Sequence, residues 1–73
     1  MEVYKLTEEQ KDALNGATYD GVQYFNPVLD ADGNWFISIE EVNGCINESL
    51  TDTEISNYYT AVQSFQTTLS RQV

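Results

Sequence analysis

The stretch from Tyr24 to Val42 constrains the fold of this chain more than any other. It holds the only Pro and the only Trp of the sequence, and at its centre is the acidic turn DADGN, residues 30–34. That turn is typical of a three-residue hairpin loop, in which a type I turn spans Ala31 and Asp32 and Gly33 adopts a left-handed conformation. The stretch therefore predicts a β-hairpin near residues 23–39.

Closure of the loop by Asp30 and Asn34 sets the register of this hairpin. The cross-strand pairs are then Leu29 with Trp35, Pro27 with Ile37, and Phe25 with Ile39, so one face is apolar. The opposite face carries Val28, Phe36, Asn26 and Ser38, and we expect it to be only half-buried. Since Pro27 cannot donate to a neighbouring strand, its strand is expected at the edge of a sheet.

The same loop also resembles the calcium-binding loop of the EF-hand family. The six ligand positions of that family's twelve-residue loop fall on Asp30, Asp32, Asn34, Phe36 through its carbonyl, Ser38 and Glu41. The resemblance implies a Ca²⁺ site in which Glu41 is the bidentate ligand. Trp35 stands where the family needs Gly, and Pro27 lies where it needs a helix, so the hairpin is favoured. A third hypothesis is weak cation binding at the hairpin tip through Asp30, Asp32 and Asn34.

Three capping signals predict three helices. Thr7 with Gln10, Ser38 with Glu41, and Thr51 with Glu54 match capping boxes. The predicted helices lie near residues 7–15, 40–49 and 52–70, and the last has the clearest apolar period. Gly16 is expected to end the first helix in a left-handed conformation. Val3 to Leu6 is predicted as an edge strand, and Thr18 to Gly21 as a connecting turn.

Together these elements predict an α+β fold. We expect a small single domain over residues 1–73, with one β-hairpin packed against two or three helices. The first helix has only a thin apolar stripe of Ala13, Leu14 and Ala17, so it is expected at the rim of the core. The predicted core residues are Phe25, Leu29, Trp35, Ile37, Ile39, Val42, Ile46, Ile55, Tyr59, Val62 and Phe65.

The charge of the chain restricts its partners. Three basic residues against twelve acidic ones give a net charge of −9. Such a charge argues against binding to nucleic acid or to an anionic membrane, and it favours a basic protein surface or dissolved cations. The N-terminal sequence lacks a basic region followed by an apolar run, so no signal peptide is predicted. No stretch reaches transmembrane length.

Catalytic motifs are absent from the sequence. It has no His, no nucleophile paired with a base, and no glycine-rich phosphate loop. Cys45 is the only cysteine, so an internal disulfide is impossible, and without a neighbouring His we expect a structural thiol. The chain is therefore predicted not to be an enzyme, and Ca²⁺ at the hairpin loop is the one cofactor considered.

The whole chain resembles small uncharacterised proteins encoded by bacteriophages. Those proteins carry segments similar to Phe25-Asn26-Pro27-Val28 and to Gly33-Asn34-Trp35-Phe36-Ile37-Ser38, followed by a Glu-Glu pair. The resemblance implies a small accessory or structural protein that acts by contact with other proteins. It also implies a location in the cytoplasm of the host cell or in the virion.

Two further hypotheses concern the partner. The predicted helix over residues 52–70 has a longer apolar stripe than a hairpin can cover, so Tyr58, Phe65 and Leu69 are expected near an interface. This interface would serve self-association or docking on a larger assembly. Alternatively, an acidic mimic of nucleic acid could inhibit a host DNA-binding protein. The carboxylates of Glu40, Glu41, Glu48, Asp52 and Glu54 would carry that mimicry.

Overall fold

The fold is α+β, as predicted. The computed structural model describes residues 2–66 and 69–72, which contain three helices and seven strands. In chain order the elements are β1 (Val3–Leu6), α1 (Glu8–Asn15), β2 (Thr18–Tyr19), β3 (Val22–Gln23), β4 (Val28–Leu29), β5 (Trp35–Ser38), α2 (Ile39–Glu48), β6 (Ile55–Ser56), α3 (Tyr58–Gln66) and β7 (Ser70–Gln72). The strands form two antiparallel sheets.

The larger sheet has four strands in the order β4-β5-β1-β7. Strand β1 lies inside this sheet and not at its edge, which corrects the prediction for Val3 to Leu6. It pairs with β5 on one side, placing Tyr4 opposite Ile37 and Leu6 opposite Trp35. On its other side it pairs with β7. The N-terminal and C-terminal strands of the described chain are therefore neighbours.

The predicted hairpin is formed by β4 and β5, and its loop has the predicted geometry. Its first strand spans only Val28–Leu29, so the predicted pairs of Pro27 with Ile37 and of Phe25 with Ile39 do not form. Leu29 pairs with Trp35, and the N–H of Asp30 donates to the carbonyl of Asn34 at 2.9 Å. The N–H of Gly33 donates to the carbonyl of Asp30 at 3.3 Å, and Gly33 has a φ of +85°. Because an L-residue rarely adopts this φ, the turn requires glycine at its third position. Pro27 immediately precedes β4 at the edge of the sheet, as predicted.

A second, three-stranded sheet in the order β3-β2-β6 was not predicted. Strands β2 and β3 are joined by Asp20 and Gly21, which have φ values of 53° and 78°. Two successive positive φ values are typical of a type I′ turn, the preferred two-residue hairpin connection. The segment predicted as a simple connection is therefore the tip of a second hairpin. Strands β3 and β4, not a helix, precede the loop that resembles an EF-hand loop.

Helix α1 begins with the predicted capping box. The N–H of Gln10 donates to Oγ1 of Thr7 at 3.2 Å, and the N–H of Thr7 donates to Oε1 of Gln10 at 2.9 Å. The helix ends at Asn15, as predicted, but Gly16 has a φ of −83° and so is not left-handed. Leu14 and Ala17 are fully buried, so the prediction that this helix lies at the rim of the core is wrong.

Helix α2 follows β5 directly, as predicted, but its predicted capping box does not form. Oγ of Ser38 accepts the N–H of Glu40 at 3.1 Å. The carboxylate of Glu41 does not turn back to Ser38; its Oε2 accepts the N–H of Asn26 at 3.2 Å. A side chain expected to cap its own helix thus holds the segment that leads into β4.

The helix predicted over residues 52–70 is wrong at both ends. Thr51 and Glu54 make the predicted local bond, with the N–H of Thr51 donating to Oε2 of Glu54 at 2.8 Å, yet no helix continues from it. Ile55 instead pairs with Tyr19 in the second sheet. Asn57 follows with a φ of 62°, so α3 begins only at Tyr58. At the other end Thr67 and Thr68 lie outside the described residues, and Ser70 to Gln72 form strand β7.

The core combines predicted and unpredicted residues. Of the predicted residues, Phe25, Ile37, Val42 and Ile55 are buried, whereas Trp35, Ile39, Val62 and Phe65 are only partly buried. The prediction is wrong for Leu29, Ile46 and Tyr59, which are 51%, 59% and 69% exposed. The buried apolar residues that the sequence did not indicate as core are Leu6, Leu14, Ala17, Cys45 and Ala61.

Ring contacts connect the helices to the core. The ring of Phe25 lies edge-on to that of Phe65, with their centroids 5.1 Å apart, and edge-on to that of Tyr24 at 4.7 Å. Edge-to-face packing is a preferred arrangement of aromatic side chains. Nζ of Lys11 lies 5.1 Å from the centroid of the Trp35 ring. Lys11 therefore covers part of the Trp35 ring, which is only partly buried.

Candidate functional site

The two faces of the larger sheet differ in what covers them. Strand residues alternate between the faces, so buried Leu6 and Ile37 mark the face toward the core. The other face carries Val3, Lys5, Phe36 and Ser38 from the two inner strands, and Val28 lies on it opposite Phe36. We call this surface the open sheet face. Val28 is 65% exposed there, and Val3 and Phe36 are partly exposed.

A groove with a volume of about 580 Å³ runs over this face. Its apolar part is formed by Val3, Val28 and Phe36, which come from three adjacent strands. The groove is lined by Val3, Asn26, Val28, Phe36, Ile37, Ser38, Glu41 and Gln72. We call it the sheet-face groove. Its lining combines this apolar cluster with the polar or charged residues Asn26, Ser38, Glu41 and Gln72.

Charge is distributed unevenly around the sheet-face groove. Glu41 lies on its wall, and a smaller hollow of about 260 Å³ beside it is lined by Glu2, Ser38, Ile39 and Glu40. Ser38 lines both the groove and the hollow. Lys5 lies opposite Phe36, on the β1 side of the groove. The end of the groove near the start of α2 is therefore acidic, and its β1 side carries a positive charge.

The predicted calcium ligands are divided between two places. Asp30, Asp32 and Asn34 lie at the hairpin tip, where Oδ1 of Asp30 accepts the N–H groups of Asp32 and Asn34 at 2.9 Å and 2.8 Å. Phe36, Ser38 and Glu41 lie at the sheet-face groove. Within residues 2–66 and 69–72, no group of three or more His, Cys, Asp or Glu side chains is placed to hold a metal ion. Calcium binding by this loop stays a prediction.

The predicted interface residues lie partly against the core. Tyr58, Phe65 and Leu69 are each half-buried and pack on it. Tyr58 and Phe65 also line a second groove of about 370 Å³, between the end of α2 and α3, together with Ile46 and Leu50. Part of each ring is thus available at the surface. Their role in association stays a prediction.

Two titratable groups near the end of α2 have shifted pKa values. Burial, with a smaller effect of the Glu48 carboxylate, raises the pKa of the Cys45 thiol. A raised pKa disfavours the reactive thiolate, which agrees with a structural thiol. Burial and a hydrogen bond to Glu48 raise the pKa of the Tyr24 hydroxyl to about 12.

The sequence indicated half of the sheet-face groove. The hairpin register places Val28, Phe36, Asn26 and Ser38 on one face, and these four residues do line the groove. Val3 and Gln72 were missed, because they reach the groove only through the pairing of β1 with β5 and β7. A period-two pattern within Val3 to Leu6 is too short to show which face each residue takes.

Comparisons with protein-family models, with curated proteins and with solved structures find no match to this chain. Among residues 2–66 and 69–72, no helix combines the length and the apolar character needed to cross a membrane.

Proposed function

We propose that this protein is a small acidic accessory or structural protein related to those of bacteriophages. It acts by binding another protein through the sheet-face groove. The observation that carries the proposal is the apolar cluster of Val3, Val28 and Phe36 on the open sheet face. The resemblance of the sequence to small phage proteins supports the phage context. In that context the protein works in the host cytoplasm or in the virion.

The apolar cluster is unusual for a sheet face that meets water. An antiparallel sheet with one solvated face normally carries polar side chains there. Here Val28 and Phe36 are direct cross-strand neighbours, and Val3 comes from the adjoining strand. Contiguous exposed apolar surface with a polar margin is typical of sites for protein contact. A partner that covered the cluster would remove this surface from water and gain about 25 cal/mol for each Å² buried.

Two valines permit a matched test of this surface. Val28 in β4 is 65% exposed and Val22 in β3 is 68% exposed, and each lies on a two-residue strand at the edge of a sheet. Only Val28 lines the groove. Replacing either by Ser removes the same apolar group without changing the net charge. Val28→Ser therefore tests the groove, and Val22→Ser is its control.

In the experiment, the wild-type chain and both variants are immobilised and exposed to bacterial host lysate. A protein retained by the wild type and by Val22→Ser is purified and titrated against all three chains by calorimetry. We expect Val28→Ser to bind it about five- to tenfold more weakly, since most of one apolar side chain is lost from the contact. Equal affinities of Val28→Ser and Val22→Ser would contradict the proposal. Binding that Val28→Ser leaves intact but that about 0.5 M salt abolishes would favour the nucleic-acid mimic instead.

A further inference from the structure

The charge pattern around the sheet-face groove identifies a class of partner, and this inference rests on the proposed function. We infer that the groove binds an extended, basic segment of another protein. In this arrangement a large apolar side chain of the segment lies on Val28 and Phe36, and a Lys or Arg of the segment pairs with Glu41.

The carboxylate of Glu41 is available for such a pair. Its Oε2 accepts one backbone N–H, from Asn26 at 3.2 Å, and the side chain lies on the wall of the groove. The ion pairs among residues 2–66 and 69–72 use Glu8 and Asp12 with Lys11, and Glu2 with Arg71. None of these cations contacts Glu41. A cation from outside the chain would therefore meet a carboxylate that none of these ion pairs uses.

The spacing of the groove sets the spacing of the segment. From Phe36 to Ser38 along β5 the distance is about 6.6 Å, the length of two residues in a strand. Helix α2 starts directly after Ser38, and Glu41 lies in its first turn. An extended segment that follows β5 over the open sheet face would thus place its basic residue two or three positions from its apolar residue.

A second copy of this chain is a poor occupant of the groove. Each copy has a net charge of −9, so two copies repel one another before they meet. The excess of carboxylates has the opposite effect on a basic segment, which it attracts from a distance. Charge complementarity therefore selects a different protein, with local positive charge next to an apolar anchor.

The test uses four synthetic nine-residue peptides with blocked ends, which share a Gly-Ser background. The first peptide carries Leu and, two residues further on, the pair Lys-Lys. At the same positions, the second peptide has Leu with Gln-Gln, and the third has Ser with Lys-Lys. The fourth has Leu with Glu-Glu. Each is titrated into the ¹⁵N-labelled protein at low salt, and the amide shifts are followed by NMR. We expect saturable shifts at Val28, Phe36 and Glu41 with the first peptide, and weaker binding of each of the other three.

Two charge variants separate the contribution of Glu41 from that of the overall charge. Glu41→Gln and Glu9→Gln each remove one negative charge, but Glu9 lies on α1 and away from the groove. We expect Glu41→Gln to weaken binding of the first peptide about two- to fivefold, as for an exposed ion pair, while Glu9→Gln leaves it nearly unchanged.

The outcomes distinguish this inference from the proposed function. Equal binding of the Lys-Lys and Gln-Gln peptides would overturn the inference that the bound segment is basic, and so would equal effects of the two charge variants. The groove would then remain a proposed apolar docking site. The absence of shifts with every peptide would also overturn it, while a natural partner that discriminates Val28→Ser from Val22→Ser would still support the proposed function. Concentration-dependent shifts at Val28 and Phe36 without peptide would show that a second copy is the occupant, and would overturn the inference.

Discussion

The hydroxyl of Tyr24 donates a hydrogen bond of 3.1 Å to Oε2 of Glu48. Tyr24 lies in the segment between β3 and β4, and Glu48 is the last residue of α2. The bond therefore joins the segment before the β4–β5 hairpin to the end of the helix that follows this hairpin. Burial and this bond raise the pKa of the Tyr24 hydroxyl to about 12.

The shifted pKa predicts how stability depends on alkaline pH. In the unfolded chain Tyr24 ionises near its ordinary pKa of 10.0, whereas in the folded chain it stays protonated up to about 12. The contribution of Tyr24 to folding is therefore fully present below about pH 10 and is lost as the pH rises toward about 12. We expect the free energy of unfolding of Tyr24→Phe, measured with urea, to fall less between these pH values than that of the wild type.

Tyr59→Phe is the control for this prediction, since Tyr59 is 69% exposed. In an ultraviolet titration we expect the wild type and Tyr59→Phe both to keep one tyrosine that ionises near pH 12, and Tyr24→Phe to lack it. Glu48→Gln should lower the midpoint of this late ionisation. If Tyr24→Phe retained the late ionisation, the shift would belong to another tyrosine.

The buried position of Ile37 predicts a large loss of stability on truncation. Ile37 is 1% exposed, whereas Ile46 is 59% exposed. We expect Ile37→Ala to reduce the free energy of unfolding by about 2–5 kcal/mol, because it removes buried methyl groups and leaves a cavity. Ile46→Ala should change it by no more than about 0.5 kcal/mol. Urea unfolding measures both losses, and equal values would show that Ile37 is no more buried in solution than Ile46.

Two glycines should respond in opposite directions to the same substitution. Gly33 has a φ of +85°, so Gly33→Ala should destabilise the chain by about 1–2 kcal/mol. Gly44 lies inside α2, and a Cβ added there meets no atom within 4 Å. Gly44→Ala should therefore stabilise the chain by about 0.5–1 kcal/mol, since alanine is the better helix former. Thermal unfolding of the two variants decides this, and a loss of stability in both would contradict the assigned helix.

Calcium should have little effect on stability if the loop keeps its hairpin structure in solution. A site using all six predicted ligands would draw on Ser38 and Glu41, whose side chains already accept the N–H groups of Glu40 and Asn26. We expect the melting temperature and the Trp35 fluorescence to stay unchanged when Ca²⁺ is added at up to about 0.1 mM, a concentration about tenfold above the weakest dissociation constants of EF-hand sensors. A saturable response to Ca²⁺ that Mg²⁺ does not reproduce would instead support the calcium site, and Asp32→Asn should then weaken it.

The hairpin loop and the first helix could be predicted from the sequence because their bonds join residues close together in the chain. Asp30 bonds to Asp32 and Asn34, and Thr7 bonds to Gln10, so the partners are at most four positions apart in the chain. Such bonds depend mainly on residue type and spacing, and they form unless a distant group takes one of the partners, as the N–H of Asn26 takes Glu41. The hairpin register is also set by this local loop, so it predicted correctly that Val28 and Phe36 lie on one face, where they line the groove.

The chain after Thr51 shows where local signals fail. Thr51 and Glu54 form a local bond as Thr7 and Gln10 do, but the pairing of Ile55 with Tyr19 takes the chain into a strand. A helix cap contributes about 1 kcal/mol, whereas complete burial of an Ile side chain contributes about 1.5–3 kcal/mol. Ile55 is fully buried, so the long-range pairing prevails over the local signal.

Sequence alone thus determined the turns, the helix starts at Thr7 and Ser38, and the acidic charge, because each depends on neighbouring residues or on composition. Tertiary structure decided the central place of β1, the strand at Ser70 to Gln72, and the exposure of Ile46 and Tyr59. These features depend on which distant segments share a sheet, and pairing Tyr4 with both Ile37 and Arg71 joins parts of the chain that no local pattern connects. The complete sheet-face groove exists only because that pairing brings Val3 and Gln72 beside Phe36 and Ser38.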